Sequence, residues 1–214
     1  MIKVAVFDFD GVIVDSNALK DEALFSLVSG NPKIPESLVR DVLHRNVGTR
    51  FDVLRDVFVL AGVPQEEIGQ MVRDYALRYD DIVQRGIAER GLAAGAKETL
   101  EALSGNRCLY INSATAHAPL QTTVDRLGIR SYFKDVFGMP PTKEENLRAI
   151  LGLEGVEPSE AVVIGDGEGD WYSAKTVGTH FIAVASGFHD WSAYQEGFPV
   201  ISGVQETQAI ISKI

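Results

Sequence analysis

Two pairs of acidic residues stand where they could share one site. Asp8 and Asp10 follow a short apolar run in the string DFDG, and Asp166 and Asp170 follow another in the string GDGEGD. In a strand, the side chains of residues i and i+2 point to the same side. Two carboxylates about 4 Å apart repel each other by about 4 kcal/mol at an effective dielectric near 20. The pairs therefore predict a site in which a cation or a proton compensates this repulsion.

Each acidic string also has a simpler interpretation. An Asp-x-Asp pair alone is as typical of a solvated turn, and acids after a strand are common at a helix start, where they favour the helix dipole. The second string is not an EF-hand loop, because Trp171 replaces the required Gly and Val177 the required Glu. Its spacing is GxGxG, which also differs from the GxGxxG of dinucleotide sites.

A hydroxyl and an ammonium complete the candidate site. Ser113 follows the apolar run 107–112, and Lys143 begins a helical pattern after Pro140-Pro141-Thr142. Alone, the serine would be a capping or turn residue and the lysine a solvated one. Together with the acids they place polar groups at four strand-to-helix junctions. An all-oxygen site with few protein ligands suits Mg²⁺, and the sequence has no Cys/His metal-binding spacing.

The elements that must position these residues indicate an α/β fold. Apolar runs at 2–7, 107–112, 161–165 and 180–185 are typical of strands buried on both faces. Helical patterns near 93–104, 117–128, 143–153 and 169–178 alternate with them. The alternation predicts a doubly wound, Rossmann-like parallel sheet covered by helices.

Residues 17–86 interrupt this alternation. Apolar residues at spacings of three and four predict four helices there and no strand. We therefore expect an α/β catalytic core from 1–16 and 87–214, with 17–86 as an inserted four-helix cap domain. Because the insertion follows the first strand, it would lie at the carboxyl end of that strand, where open α/β sheets bind ligands.

Composition limits the partners and the compartment. The chain has 214 residues and a net charge of -10, and an acidic surface argues against binding to nucleic acid or to an anionic membrane. Asp8 interrupts the apolar N-terminal run before a signal-peptide core could form. No apolar stretch approaches the ~20 residues of a membrane span. We expect a cytoplasmic protein whose oligomeric state the sequence does not indicate.

The order and spacing of these motifs resemble the haloacid-dehalogenase-like superfamily of phosphatases. Its first motif, DxDG, matches Asp8 to Gly11, and its second, a strand ending in Ser or Thr, matches Ser113 in YINSA. The third is a Lys that opens a helix, here Lys143, and the fourth is GDxxxD, here GDGEGD. The resemblance covers the whole chain. It departs at Lys143-Glu144, where related members usually continue with Pro.

The resemblance implies catalytic roles for four residues. Asp8 would attack phosphorus and become an aspartyl phosphate, and Asp10 would protonate the leaving alcohol and then activate water. Ser113 and Lys143 would hold the phosphoryl oxygens. An Asp at position 10 favours a phosphoester enzyme, because members that cleave carbon–halogen or carbon–phosphorus bonds lack it. The substrate would be a small phosphorylated metabolite.

The resemblance also implies the ligands of Mg²⁺. These would be Asp8, the backbone carbonyl of Asp10 and Asp166, while Asp170 would support a metal-bound water or orient Lys143. The backbone N–H groups of Gly11 and Ala114 are expected to donate to the phosphate.

Two alternatives remain open from the sequence. A phosphosugar mutase similar to β-phosphoglucomutase would use Arg50, in Gly48-Thr49-Arg50, as a phosphate anchor, although GD at 165–166 resembles the phosphatases more. A phospho-receiver signalling domain has a similar acidic pocket but no helical insertion of this length. Other candidates for substrate contact are Asn17, Lys20, Arg78 and His117.

Overall fold

The computed structural model describes residues 1–45, 49–194 and 197–214. The described strands are β1 (Val4–Phe7), β2 (Cys108–Ala116), β3 (Asp135–Met139), β4 (Ala161–Gly165), β5 (His180–Val184) and β6 (Val200–Ile201). The described α-helices are α1 (Asn17–Ser29), α2 (Glu36–Arg45), α3 (Arg50–Leu60), α4 (Gln65–Arg90), α5 (Ala96–Ser104), α6 (His117–Arg126), α7 (Lys143–Glu154), α8 (Glu168–Val177) and α9 (Thr207–Ile211).

The strands form one parallel sheet in the order β3-β2-β1-β4-β5-β6. The chain leaves β1 toward β2 and β3, then returns to the other side of β1 with β4. This change of direction between β1 and β4 opens a crevice at their carboxyl ends, the usual ligand position in doubly wound folds. The predicted α/β fold class is confirmed.

The sheet is buried on both faces, which explains the unbroken apolar runs of its central strands. Val4 and Val6 of β1 pack in a cluster with Leu147 of α7 and Ala174 of α8. The alternate residues of the same strand, such as Phe7, are equally buried and therefore point to the opposite face. A short strand with no polar position is thus held rigidly at the point where Asp8 follows it.

The elements that sequence periodicity did not predict lie toward the margins of the sheet. β3 is the outermost strand on one side, β6 with only two residues is outermost on the other, and α9 has five residues. β3 alternates between buried and half-buried positions, so its sequence has no continuous apolar run. β2 also extends beyond the predicted end at 112 as far as Ala116, so Ser113 lies inside the strand rather than after it.

The chain divides into two compact units, Met1–Asp15 with Arg90–Ile214, and Ser16–Glu89. The second unit contains α1, α2 and α3 and all but the last residue of α4, which runs past the predicted boundary at 86. α3 begins after Thr49, whose N–H and hydroxyl both donate to the carboxylate of Asp52, at 2.9 and 2.6 Å. Among the described residues, no helix is long and apolar enough to cross a membrane.

Candidate active site

Three buried carboxylates meet at the carboxyl ends of β1 and β4. Asp8, Asp166 and Asp170 each offer one oxygen, and these oxygens lie within 4.8 Å of one another. The parallel pairing of the two strands places Asp8 and Asp166 side by side, and the N–H of Asp8 donates to the carbonyl of Ile164 at 2.8 Å. Each of the three residues is at most 6% exposed. This density of buried negative charge requires compensation.

Lys143 supplies a positive charge directly between two of these acids. Its Nζ lies 2.8 Å from Oδ2 of Asp8 and 2.7 Å from Oδ1 of Asp170. Lys143 is the first residue of α7, and Thr142 caps that helix by accepting from the N–H of Glu145. The helix start therefore fixes the base of a side chain that reaches across the crevice.

The charges in this cluster perturb one another. Burial alone would lower the pKa of the Lys143 ammonium, but the charges of Asp170 and Asp8 outweigh burial and raise that pKa. Burial, reinforced by the charge of Asp8, raises the pKa of Asp170, although Lys143 acts in the opposite direction. These shifts favour the charged form of Lys143 and disfavour the ionised form of Asp170.

Gly165 allows Asp170 to enter the cluster. A Cβ atom at position 165 would collide with Cβ and Cγ of Asp170, so a side chain there would displace the carboxylate. Asp170 is further held in the first turn of α8, where its carbonyl accepts from the hydroxyl of Ser173 at 2.8 Å. The Gly-Asp spacing of the fourth motif is therefore a packing requirement of the site.

The carboxylate of Asp10 accepts a hydrogen bond from a residue outside the three-acid cluster. Its Oδ2 accepts from the hydroxyl of Thr115, near the end of β2, at 2.9 Å. The following Gly11 has φ of 73°, a left-handed conformation that favours glycine. The N–H of Gly11 donates to the carbonyl of Val14 at 2.7 Å, so the predicted donation to a phosphate would require this bond to break.

Ser113 and Ala114 lie where the pairing of β2 with β3 shifts register between Asn112 and Ala116. Ser113 is buried, and its Oγ accepts from the N–H of Thr115 at 3.1 Å. The same threonine holds Asp10, so a short hydrogen-bonded path joins Ser113 to the first motif. Ala114 is exposed. The phosphate-binding roles of both residues stay predictions.

Asn112 is a site residue that sequence reasoning missed. Its amide donates to the backbone carbonyl of Lys143 at 2.8 Å and accepts from the amide of Asn146 at 3.1 Å. Both asparagines are almost fully buried. The pair ties the start of α7 to β2 and so positions Lys143. The only sequence signal is a polar residue at the end of an apolar run, which a turn would equally explain.

The predicted substrate contacts of the second unit stay predictions. Arg50 forms an ion pair with Asp80 at 3.0 Å, its Nε is buried without a hydrogen-bond partner, and Gly48 lies outside the described residues. The guanidinium of Arg78 lies over the ring of Tyr75, 5.8 Å from its centroid. Asn17 begins α1 and Lys20 lies within it, while His117 of the first unit is exposed at the start of α6.

The residues of the cluster fit a hard divalent cation. All three offer carboxylate oxygens, which Mg²⁺ prefers, and a single ammonium bridges two of them. Burial, and after it the negative charge of Asp8, raises the pKa of Asp170, and a bound cation would act in the opposite direction.

The comparison with protein families agrees with this geometry. The chain matches the family described as haloacid dehalogenase-like hydrolase over residues 2–178, a span that contains every residue of the three-acid cluster and Lys143. The chain belongs to the haloacid dehalogenase-like hydrolases. The predicted family and the prediction of a hydrolytic enzyme are therefore confirmed.

Curated relatives of this haloacid dehalogenase-like hydrolase carry the name of one activity. A protein of Vibrio vulnificus named phosphoglycolate phosphatase is 28% identical over 203 residues, which cover 88% of this chain and 86% of the relative. Phosphoglycolate phosphatase 1 of Pseudomonas aeruginosa is 23% identical over 209 residues, covering 93% of this chain and 75% of the relative.

Solved structures share the whole fold. A β-phosphoglucomutase of Clostridium difficile is similar with a TM-score of 0.74 and 18% identity, covering 100% of this chain and 97% of that one. At 18% identity, this similarity shows that the two proteins share a fold and nothing more.

Proposed function

We propose that this hydrolase is a Mg²⁺-dependent phosphatase that cleaves a small phosphorylated metabolite through an aspartyl-phosphate intermediate on Asp8. The observation that carries this proposal is the Lys143 ammonium, which contacts both Asp8 and Asp170 within a buried group of three carboxylates. A phosphoryl group is an anion, so an anionic nucleophile can attack it only where positive charge is already in place.

Asp8 is oriented for attack by contacts to both of its oxygens. Oδ1 accepts from the N–H of Phe9 at 2.7 Å, and Oδ2 lies against Lys143. In the first step, an oxygen of Asp8 forms a bond to phosphorus while the bond from phosphorus to the leaving oxygen breaks. In the second step, water attacks the phosphoryl group and Asp8 is released. Lys143 stabilises negative charge in both steps.

Asp10 supplies and removes the protons. Its Oδ2 accepts a hydrogen bond from the hydroxyl of Thr115 at 2.9 Å, which restricts the orientation of the carboxylate. We assign it the proton that the leaving oxygen needs in the first step, and the removal of a proton from water in the second. Ser113 and the N–H of Ala114 are assigned to the phosphoryl oxygens, and the N–H of Gly11 would join them only by giving up its bond to the carbonyl of Val14.

The cation would be held by Asp8 and Asp166, together with the backbone carbonyl of Asp10, and Asp170 would support its water ligands or Lys143. When bound, Mg²⁺ supplies positive charge that offsets repulsion between the nucleophile and the phosphoryl group.

The substrate is best sought among small phosphorylated acids and sugars. Phosphoglycolate is the first compound to test, because curated relatives are named for its hydrolysis. The mutase alternative would need Arg50 to bind a second phosphate, but Arg50 is already paired with Asp80. Conversion of β-glucose 1-phosphate to glucose 6-phosphate, rather than to glucose, would favour the mutase.

The nucleophile can be tested by trapping the intermediate. Asp8→Asn should abolish Mg²⁺-dependent hydrolysis of p-nitrophenyl phosphate, and acid quenching followed by intact mass spectrometry should reveal no phosphate adduct. Asp15→Asn is the matched control, since Asp15 is an exposed acid of the same segment and should retain full activity. An adduct on Asp8→Asn, or one that maps to Asp166, would place the nucleophile on another carboxylate.

We also propose that residues 17–86 act as a cap that determines substrate preference. If Arg50 exchanges its ion pair with Asp80 for a substrate group, Arg50→Ala should change KM across a panel of phosphorylated metabolites. Arg85→Ala is the control, because Arg85 forms an exposed ion pair with Asp81 on α4 of the same unit. Identical substrate profiles for the wild type and Arg50→Ala would remove Arg50 from the substrate site.

A further inference from the structure

Ser186 contacts the cation site from a loop that no motif covers. Its hydroxyl donates to Oδ2 of Asp166 at 2.6 Å. Ser186 follows β5, which is the neighbour of β4 in the sheet, so its loop begins at the same carboxyl edge as Asp166. This contact is shorter than a typical hydrogen bond between neutral groups, as expected for a hydroxyl that donates to a carboxylate.

The backbone fixes the direction in which the Ser186 hydroxyl donates. A serine hydroxyl has one proton and can rotate to suit its partners. Here its oxygen accepts from the N–H of Phe188 at 3.2 Å. Because the N–H of Phe188 occupies one acceptor position of the Ser186 oxygen, the hydroxyl proton of Ser186 points to Asp166.

The segment that presents Ser186 is anchored on both sides. The N–H of Ala185 donates to the carbonyl of Ile201 at 2.8 Å. On the far side, the indole of Trp191 donates to the carbonyl of Val184 at 3.1 Å, and its ring packs at a tilt of 57° against the ring of Phe181. A tryptophan that is only 6% exposed holds the loop against the core, so the position of Ser186 is defined although the residue itself is exposed.

We propose that Ser186 is a positioning residue for Asp166, which orients that carboxylate toward the divalent cation. The inference rests on the proposed function, because it assumes that Asp166 binds the cation. A hydrogen bond to Oδ2 restricts rotation of the carboxylate and partly offsets its repulsion by Asp8 and Asp170. Hydrogen bonds that orient metal ligands are typically worth about 10- to 100-fold in metal affinity or activity.

The test measures cation binding without turnover. Mn²⁺ binding to the full chain, followed by the electron paramagnetic resonance signal of free Mn²⁺, should be roughly 10-fold weaker in Ser186→Ala than in the wild type. Ser186→Thr retains the hydroxyl and should restore affinity to within a few-fold. Ser192→Ala is the matched control, since Ser192 is an exposed serine of the same loop whose N–H bonds to Asp190. Circular dichroism in chelator establishes that each variant is folded.

The outcomes separate this inference from the proposed function. Weakened binding in Ser186→Ala with recovery in Ser186→Thr supports the positioning role. Equal affinity of Ser186→Ala and the wild type overturns it while leaving the cation site intact, and so does a threonine variant as weak as the alanine variant. A wild type that binds no Mn²⁺, or an Asp166→Ala variant that binds as tightly as the wild type, overturns both the cation assignment and the role of Ser186.

Discussion

Replacing Lys143 by methionine should destabilise the metal-free protein strongly. At 2.8 and 2.7 Å from two carboxylate oxygens, the ammonium gains a gross attraction of about 6 kcal/mol from each at an effective dielectric near 20. Desolvation of a side chain that is 13% exposed offsets much of this gain. Removing one partner of a buried ion pair nevertheless costs about 3–5 kcal/mol, because the remaining charges stay buried and unpaired. We expect Lys143→Met to lose at least about 3 kcal/mol of unfolding free energy.

The chain is well suited to the measurement because both of its tryptophans, Trp171 and Trp191, belong to the unit that contains the site. Urea unfolding in chelator, followed by tryptophan fluorescence, therefore reports on that unit. Lys134→Met, at an exposed lysine of the same unit, should change the unfolding free energy by less than about 0.5 kcal/mol. If Lys143→Met costs less than about 1 kcal/mol, Asp8 and Asp170 do not depend on Lys143 for charge compensation and the electrostatic argument is wrong. Added Mg²⁺ should reduce the difference in unfolding free energy between Lys143→Met and the wild type.

Three other variants test separate parts of the site. Gly165→Ala should lower the unfolding free energy by about 1–3 kcal/mol in urea titrations, since its Cβ would collide with Asp170, whereas Gly105→Ala has open space and should be neutral. Asn112→Ala should reduce kcat about 10-fold while leaving Mn²⁺ affinity unchanged, because it releases the start of α7 rather than a metal ligand. Asp10→Asn should slow hydrolysis of the phosphoenzyme more than its formation from p-nitrophenyl phosphate, so acid-quenched samples should contain more phosphate adduct than the wild type. A variant that accumulates no adduct would contradict the role of Asp10 in removing a proton from water.

The central part of the fold could be predicted because its signals are local. β4 occupies the predicted 161–165, and α7 begins at Lys143 as its capping sequence indicates. Strands buried on both faces must be apolar throughout, so they are visible without knowledge of their neighbours. β3 was missed because it is an outer strand of alternating burial. Its Gly138 is explained only by the close approach of the Thr115 carbonyl and the backbone of His117.

The sequence by itself determined which residues form the first and fourth motifs, because each motif lies within a few consecutive residues. The first follows the end of one strand, and the fourth runs from the end of another strand into the first turn of a helix. It also placed Asp8 and Asp166 at strand ends. Only the tertiary structure decided that Asp8 and Asp166 are neighbours, since that depends on β4 returning to pair with β1. The contacts of Asn112 with Lys143 and of Ser186 with Asp166 span 31 and 20 positions. An amide or a hydroxyl can bond to water or to any nearby backbone group, so these residue types do not indicate their partners. The packing of α7 brought Lys143 to Asn112, and the pairing of β4 with β5 brought Ser186 to Asp166.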